Sequence, residues 1–470
     1  MIDETETTMP SRARPPRGVA MAGLAVAMFL VVLDSAMVNL AGATIREDLA
    51  LSATGLTVVV SSYLVAFAGL LLLGGRLADV LGGRRVFMAG MAVYLAASVV
   101  CATAPDGTVL TAGRIGQGIG AAALMPAALS LVLALYPSPA ERTRAVGLWG
   151  AVAGAGSLVG VFLGGTLTDL LGWESVFWAP VPFGIAGAIV VWVSTPATPG
   201  RPGPFDLVGA VTITLGIAAV TFGTSTASEA GWGSPGAIGG LSVGLASLAA
   251  FVIAERRSAH PLVPLGVFRR RPVVAANLMV LLVGGTLTSM FFFLPQYQQE
   301  VLGMSPLATG MSQLPIAAMI IVGSVAAPVL SKRLGLAHAQ PISLAVLLAG
   351  ILWLAVDPTD AGFSVSLAGA FTLIGAGLGL ALVGATTMGV RDSGGGESGL
   401  LSGLINASQQ VGGAVGLAVV AGIAIRAAGA GGDIAYTTAF LGQAGLIGIA
   451  LALSLVPSSN ARTAAVAAAR

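Results

Sequence analysis

Two ionisable side chains lie deep in apolar sequence. Asp34 falls within Val31-Val-Leu-Asp-Ser-Ala-Met-Val-Asn-Leu40, and nothing else between Gly18 and Ala41 ionises. Arg114 falls within Leu110-Thr-Ala-Gly-Arg-Ile-Gly-Gln-Gly-Ile-Gly120. A carboxylate in such a run costs about 3 kcal/mol to insert into a bilayer, so it marks a functional site by default, one suited to exchanging a proton or facing a cation. A guanidinium in a glycine-lined wall likewise needs a partner or water. The plainer alternatives are that Asp34 reaches interfacial water and that Arg114 snorkels to the same interface. Uncharged polar residues inside other apolar runs, namely Asn39, Tyr63, Gln117, Asn277, Asn406, Gln409 and Gln410, are candidates to line a cavity and bond a ligand.

Other chemistries find no residues to carry them. Cys101 is the single cysteine, which excludes a disulfide or a cysteine-based metal site within one chain. His260 and His338 fall in polar connections, so no zinc site and no other metal site is expected. Lys332 is the single lysine and does not close a phosphate-binding loop. Gly116-Gln-Gly-Ile-Gly120 and Gly375-Ala-Gly-Leu-Gly379 resemble nucleotide loops only superficially, since both lie inside apolar helices. No enzyme and no cofactor is expected, and active transport would have to draw on an ion gradient or a separate energising subunit.

The elements that carry these residues must be membrane helices. Hydrophobic residues make up 56% of the 470 and charged ones only 9%, with a mean hydropathy of +0.93, against about 25% charged in ordinary soluble domains. The 66 glycines suit helices packed at close range. A net charge of +2 implies no nucleic-acid partner. The first apolar run, about 24 residues and so roughly 36 Å of helix, is long enough to span a bilayer and too long for a signal-peptide core.

Apolar segments between polar or Gly/Pro connections predict an all-α polytopic membrane protein with about 14 transmembrane helices. If the count is even, all but three of the 22 Lys and Arg residues lie on one side, the exceptions being Arg46, Arg426 and the intramembrane Arg114. The positive-inside rule then makes both termini cytoplasmic. Gly75-x-x-x-Asp79-Val-Leu-Gly82 after the second span echoes Pro328-x-x-x-Lys332-Arg-Leu-Gly335 after the tenth, which sets two six-helix halves in register. The expected division is a tail (1–17), a first half (18–194), an inserted two-helix segment with its flanking loops (195–271), a second half (272–456) and a second tail (457–470). Paired-half transporters place substrate near the midplane between the halves.

The loop Gly75-Arg-Leu-Ala-Asp-Val-Leu-Gly-Gly-Arg-Arg85 resembles the signature between the second and third helices of the major facilitator superfamily, with Val80 and Gly83 where that family favours basic residues. The stretch around Arg114 is similar to the superfamily's second signature, in whose proton-coupled members the matching arginine is linked to proton transfer. Gly156, Gly160, Gly164 and Gly165 resemble the exporters' antiporter signature, with Val161 in place of its usual proline; as a one-faced stripe they also allow close helix packing. Leu33-Asp34 with Val38-Asn39, Trp173 through Pro182, Phe205-Asp-Leu-Val-Gly209, Leu294-Pro-Gln-Tyr-Gln-Gln-Glu-Val-Leu-Gly303 and Ser398 through Gly413 together are similar to the fourteen-helix drug:proton antiporter branch.

The resemblance implies a major facilitator fold in the cell membrane. It further implies conformational latching by Asp79, Arg84 and Arg85, and helices one and four lining the same cavity. Asp34 and Arg114 would then lie roughly 10 and 8 Å below the outer surface and pair, directly or through water, to carry proton coupling. The expected activity is export of small amphipathic, drug-like compounds, cations among them, in exchange for protons by alternating access. The partners are that small molecule, protons and the lipid bilayer, with no obligate protein partner. Proton-coupled uptake of a polar nutrient is the alternative that Val161 leaves open, and a non-transporting sensor lacks a signalling domain.

Overall fold

The computed structural model describes residues 17–136, 138–196, 206–231, 233–258, 261, 263, 265–356, 365–390, 398–428 and 435–455. Both expected tails, except Arg17, and His260, Arg201 and Arg391 lie outside the described residues. The side chains of Asp79, Arg142 and Arg144 are likewise outside the description.

Among the described residues the only regular secondary structure is helical. In hydrocarbon every backbone polar group must be satisfied within the protein, and a helix does this locally. The order is α1 (Arg17–Asp48), α2 (Ala53–Leu81), α3 (Gly83–Ala102), α4 (Gly107–Leu135), α5 (Pro139–Leu171), α6 (Glu174–Trp178), α7 (Pro180–Ser194), α8 (Leu207–Ala230), α9 (Pro235–Arg257), α10 (Arg271–Gln296), α11 (Pro306–Leu334), α12 (Leu336–Val356), α13 (Val365–Val390), α14 (Ser398–Ala428) and α15 (Tyr436–Leu455). A 3-10 turn, Leu265–Arg269, precedes α10, and a π-helical turn, Tyr297–Val301, extends it. Short polar residues start the helices: Ser52, Ser138, Ser234 and Ser305 each accept from a backbone N–H of the first turn, and Asp106 accepts two. Gly82, at φ 94°, is the single residue between α2 and α3, a backbone conformation that side chains resist.

Among the described residues twelve helical stretches are long and apolar enough to cross a membrane, Glu174–Ser194 and Arg271–Val301 included. By this measure α5 and α8 contribute only shorter apolar stretches, Val159–Leu171 and Val208–Thr224, among the described residues. Helix α1 continues seven residues past the end its hydropathy suggested, to Asp48, which puts Asp34 near its middle. His338 belongs to the first turn of α12 and Lys332 to the last turn of α11, both expected in connections.

The helix pairings repeat. In the first group α1 packs on α5 and α7, α2 on α4, and α3 on α4 and α7. In the second, α10 packs on α14 and α15, α11 on α13, and α12 on α13 and α15, the same scheme in the same order. Helices α8 and α9 pack on each other, and α8 also lies against α2 and α14. Thr214 of α8 donates to the Gly69 carbonyl of α2 (2.9 Å). The connection after α9 is fixed by buried Glu255, which accepts from the Val263 N–H (3.0 Å), and by Val263 and Val267 packing with Val273, Leu401 and Leu404.

Candidate functional site

Asp34 is carried by α1, Arg114 and Gln117 by one face of α4, Ser98 by α3 and Tyr63 by α2. Four helices converge this closely because the glycines of α4 admit them. A Cβ on Gly113 would lie 2.5 Å from the Cys101 Sγ, one on Gly118 2.6 Å from the Tyr63 carbonyl oxygen, and one on Gly120 2.6 Å from the Tyr94 N. On the other side of α1, a Cβ on Gly160 would meet the Leu33 carbonyl at 2.9 Å and one on Gly164 the Met37 Cα at 2.7 Å. Those glycines seat α1 from behind on either side of Asp34.

The polar groups close a triangle. Arg114 Nη1 donates to Asp34 Oδ2 at 2.7 Å and to Gln117 Oε1 at 2.8 Å. Gln117 Nε2 donates to Asp34 Oδ1 at 3.1 Å and to Ser98 Oγ at 2.9 Å, and Ser98 in turn donates to the Tyr94 carbonyl. The guanidinium lies 4.3 Å above the Tyr63 ring, a favourable site for a cation. Asp34 is 0% exposed and Arg114 1%, so neither reaches interfacial water in this conformation. Both carboxylate oxygens of Asp34 hold donors, Arg114 on one and Gln117 on the other. Arg114 Nε is the one polar atom of the triangle left buried without a partner.

A second polar group joins the two helix groups at the end where α1 meets α2. Arg46 of α1 forms an ion pair with Glu300 of the π-helical turn at 3.0 Å, Tyr436 of α15 donates to Glu300, and Gln299 Nε2 donates to the Leu40 carbonyl at 3.0 Å. Nearby, α5 and α11 touch backbone to backbone. A Cβ on Gly310 would lie 2.6 Å from the Val161 carbonyl oxygen, and one on Gly165 would overlap the Pro306 carbonyl.

The remaining expected residues scatter. Gln117 and Tyr63 belong to the Asp34 cluster rather than to an open wall. Asn39 is half-buried, its Oδ1 sealed and unpartnered. Asn277 bonds the Val273 carbonyl and accepts from Ser408 at 2.8 Å, which ties α10 to α14. Gln409 and Gln410 are half-buried and Asn406 exposed on α14. Asp79 falls in the last turns of α2, and Arg85 is exposed. Arg84 donates to the Thr195 carbonyl at 2.8 Å and stacks on Trp192 at 4.2 Å, so it caps the end of α7 within its own helix group. Gly156, Gly160 and Gly164 face α1, whereas Gly165 faces α11, so the stripe serves two neighbours.

Sequence reasoning did not single out Ser98, Glu300 or Tyr436 for a site. The only signal was that Glu300 is the sole acidic residue of Leu294 to Gly303.

Comparison with known proteins agrees with this architecture. Residues 24–417 match the family model described as Major Facilitator Superfamily. The cephamycin export protein of Amycolatopsis lactamdurans is 37% identical over 436 residues, 90% of this chain and 88% of that protein. The puromycin resistance protein of Streptomyces alboniger is 36% identical over 414 residues, 86% of this chain and 81% of that protein. Among solved structures, a bacterial homologue of the human lysosomal transporter Spinster shares the fold with a TM-score of 0.67 at 17% identity, covering 94% of this chain and 96% of that one. With its repeated helix pairing and its buried α1–α4 ion pair, the chain belongs to the major facilitator superfamily.

Proposed function

We propose that this membrane transporter exports small amphipathic, drug-like compounds in exchange for protons, by alternating access. The observation that carries the reading is the closed Asp34–Arg114–Gln117 triangle, a titratable group held out of water at the junction of four helices. The relatives that export cephamycin or confer puromycin resistance support the direction and the substrate class. In this reading α1–α7 and α10–α15 are the two six-helix halves (18–194 and 272–456), α8 and α9 are the insert within 195–271, and α5 and α8 also cross, which makes fourteen spans with cytoplasmic termini. The outer surface is then the end that carries Arg46 and Glu300.

Asp34 serves as the coupling carboxylate. Opening of the triangle toward the outside lets it take a proton, and opening toward the cytoplasm lets a substrate cation or Arg114 displace that proton. When the exported compound is uncharged, each proton exchanged moves one charge and 100 mV supplies roughly 2.3 kcal/mol, enough for about a 50-fold gradient. A monovalent cation exchanged for one proton moves no net charge and draws on the pH gradient alone. Expression in a strain stripped of its own efflux pumps should raise resistance to several unrelated amphipathic toxins. Everted vesicles should accumulate the same compounds on acidification of the lumen. Uptake into intact cells with no resistance would reject export.

In the same reading the Arg46–Glu300–Tyr436 group acts as a latch that holds the outer end closed. Glu300→Gln removes the ion pair and weakens the tyrosine bond, so the outward-open population should rise on the order of tenfold, about 1.4 kcal/mol. A cysteine at Asn39 in a Cys101→Ala background would report this as faster labelling by a membrane-impermeant thiol reagent. Arg46→Glu combined with Glu300→Arg should slow the labelling again; a labelling rate that ignores all three changes would sink the latch.

A further inference from the structure

Beyond the Asp34 triangle, α10 is irregular where it nears α11. Pro295 lacks the N–H that would bond the Phe291 carbonyl, and the π-helical turn follows within two residues. Such breaks at membrane depth persist where they serve a site. The turn sends consecutive side chains to different neighbours. Gln299 and Glu300 go to α1, while Gln298, 1% exposed, goes to α11, where its Nε2 donates to Ser312 Oγ at 2.6 Å and its Oε1 accepts from Gln313 Nε2 at 2.8 Å. Two atoms of this cluster have no partner. They are Gln313 Oε1 and Thr309 Oγ1, on residues 1% and 0% exposed, one turn apart on the same face of α11. Leaving such atoms unpaired disfavours the closed protein, and what satisfies a lone amide oxygen is a hydrogen-bond donor.

We propose that Gln313 and Thr309, held by Gln298, form a release-side subsite that binds a hydrogen-bond-donating group of the exported compound, an amine, amide N–H or hydroxyl. The inference rests on the export reading and adds a substrate class to it. The subsite lies beside the outer latch: Gln299 and Glu300 of the same turn bond α1, and α5 covers α11 at Gly310. Opening of the latch therefore unseals the subsite toward the outside.

The test is binding of two aromatic cations to the purified full-length protein, ethidium with two aryl amines and tetraphenylphosphonium with no donor. Thr309→Val replaces an unpaired hydroxyl with an apolar group of the same shape. It should raise the unfolding temperature of the unliganded protein by about 1–2 °C, while it weakens ethidium about fivefold and leaves tetraphenylphosphonium unchanged. Gln313→Leu should weaken ethidium about tenfold with the same selectivity. Equal weakening of both cations would mean distortion and overturn the subsite. A lower unfolding temperature for Thr309→Val with binding of both cations intact would mean that a buried water holds these atoms, and would overturn it too. Wild-type protein that binds neither cation would instead overturn the export reading, and the subsite with it.

Discussion

Asp34→Asn is expected to abolish substrate-driven proton exchange in proteoliposomes, collapsing, for an uncharged substrate, a gradient of about 50-fold per 100 mV to equilibration. The substitution keeps the side chain's shape and an oxygen for Arg114, and deletes the charge that a proton would titrate. It also leaves the guanidinium, 1% exposed, without its counterion. Stranding one member of a buried pair costs about 3–5 kcal/mol, so the variant should also melt earlier. These two losses can be separated. Asp34→Asn with Arg114→Gln removes both charges and retains amides able to bond Gln117, so stability should return while exchange stays absent. Asp34→Glu should keep exchange at a reduced rate, since the longer carboxylate must displace the Gln117 bond. Full exchange by Asp34→Asn would show that the coupling group lies elsewhere.

The reason Asp34 and Arg114 were legible, and their surroundings were not, is physical. An ionisable residue in an apolar helix has few explanations, and two of them in helices that meet have fewer. Ser98 offers no such signal. A serine inside a membrane helix satisfies itself on the carbonyl four residues back, as Ser98 does on Tyr94 and Ser35 on Val31, so nothing in the sequence separates the serine that also holds Gln117 from the one that does not. The length of α1 was misjudged for a related reason. Hydropathy ends α1 at Ala41, short of Arg46, Glu47 and Asp48, but Arg46 finds Glu300 on the π-helical turn and the rod continues. Arg84 was given a latching role by the resemblance alone; the sequence did not show that in this conformation the carbonyl at the end of α7 and the Trp192 ring, both more than a hundred residues away, hold its side chain. The helical class, the repeat and the buried pair follow from local composition and spacing. Partners across distant helices do not.

The glycines among the described residues make the second large prediction, because the structure sorts them into opposite classes. A Cβ on Gly412 of α14 would overlap the carbonyl oxygen of Leu281 on α10, and one on Gly74 of α2 would overlap the carbonyl of Ala122 on α4. In both places the listener is backbone, which cannot rotate away, so the paired helices must part. Gly445 and Gly448 of α15 have nothing within 4 Å of the same position. Gly412→Ala should therefore cost about 1–3 kcal/mol or more from overpacking, pull Asn277 off Ser408 across the α10–α14 seam, and leave little folded protein after extraction. Gly448→Ala should be neutral or gain up to about 1 kcal/mol, because alanine restrains the unfolded chain and favours helix. The sign, more than the size, decides the matter: intrinsic helix preference predicts a gain at both positions, and only close packing of α14 on α10 predicts a loss at one. Equal effects at Gly412 and Gly448, read as unfolding temperature in the same detergent, would mean that α10 and α14 are further apart than the structure has them.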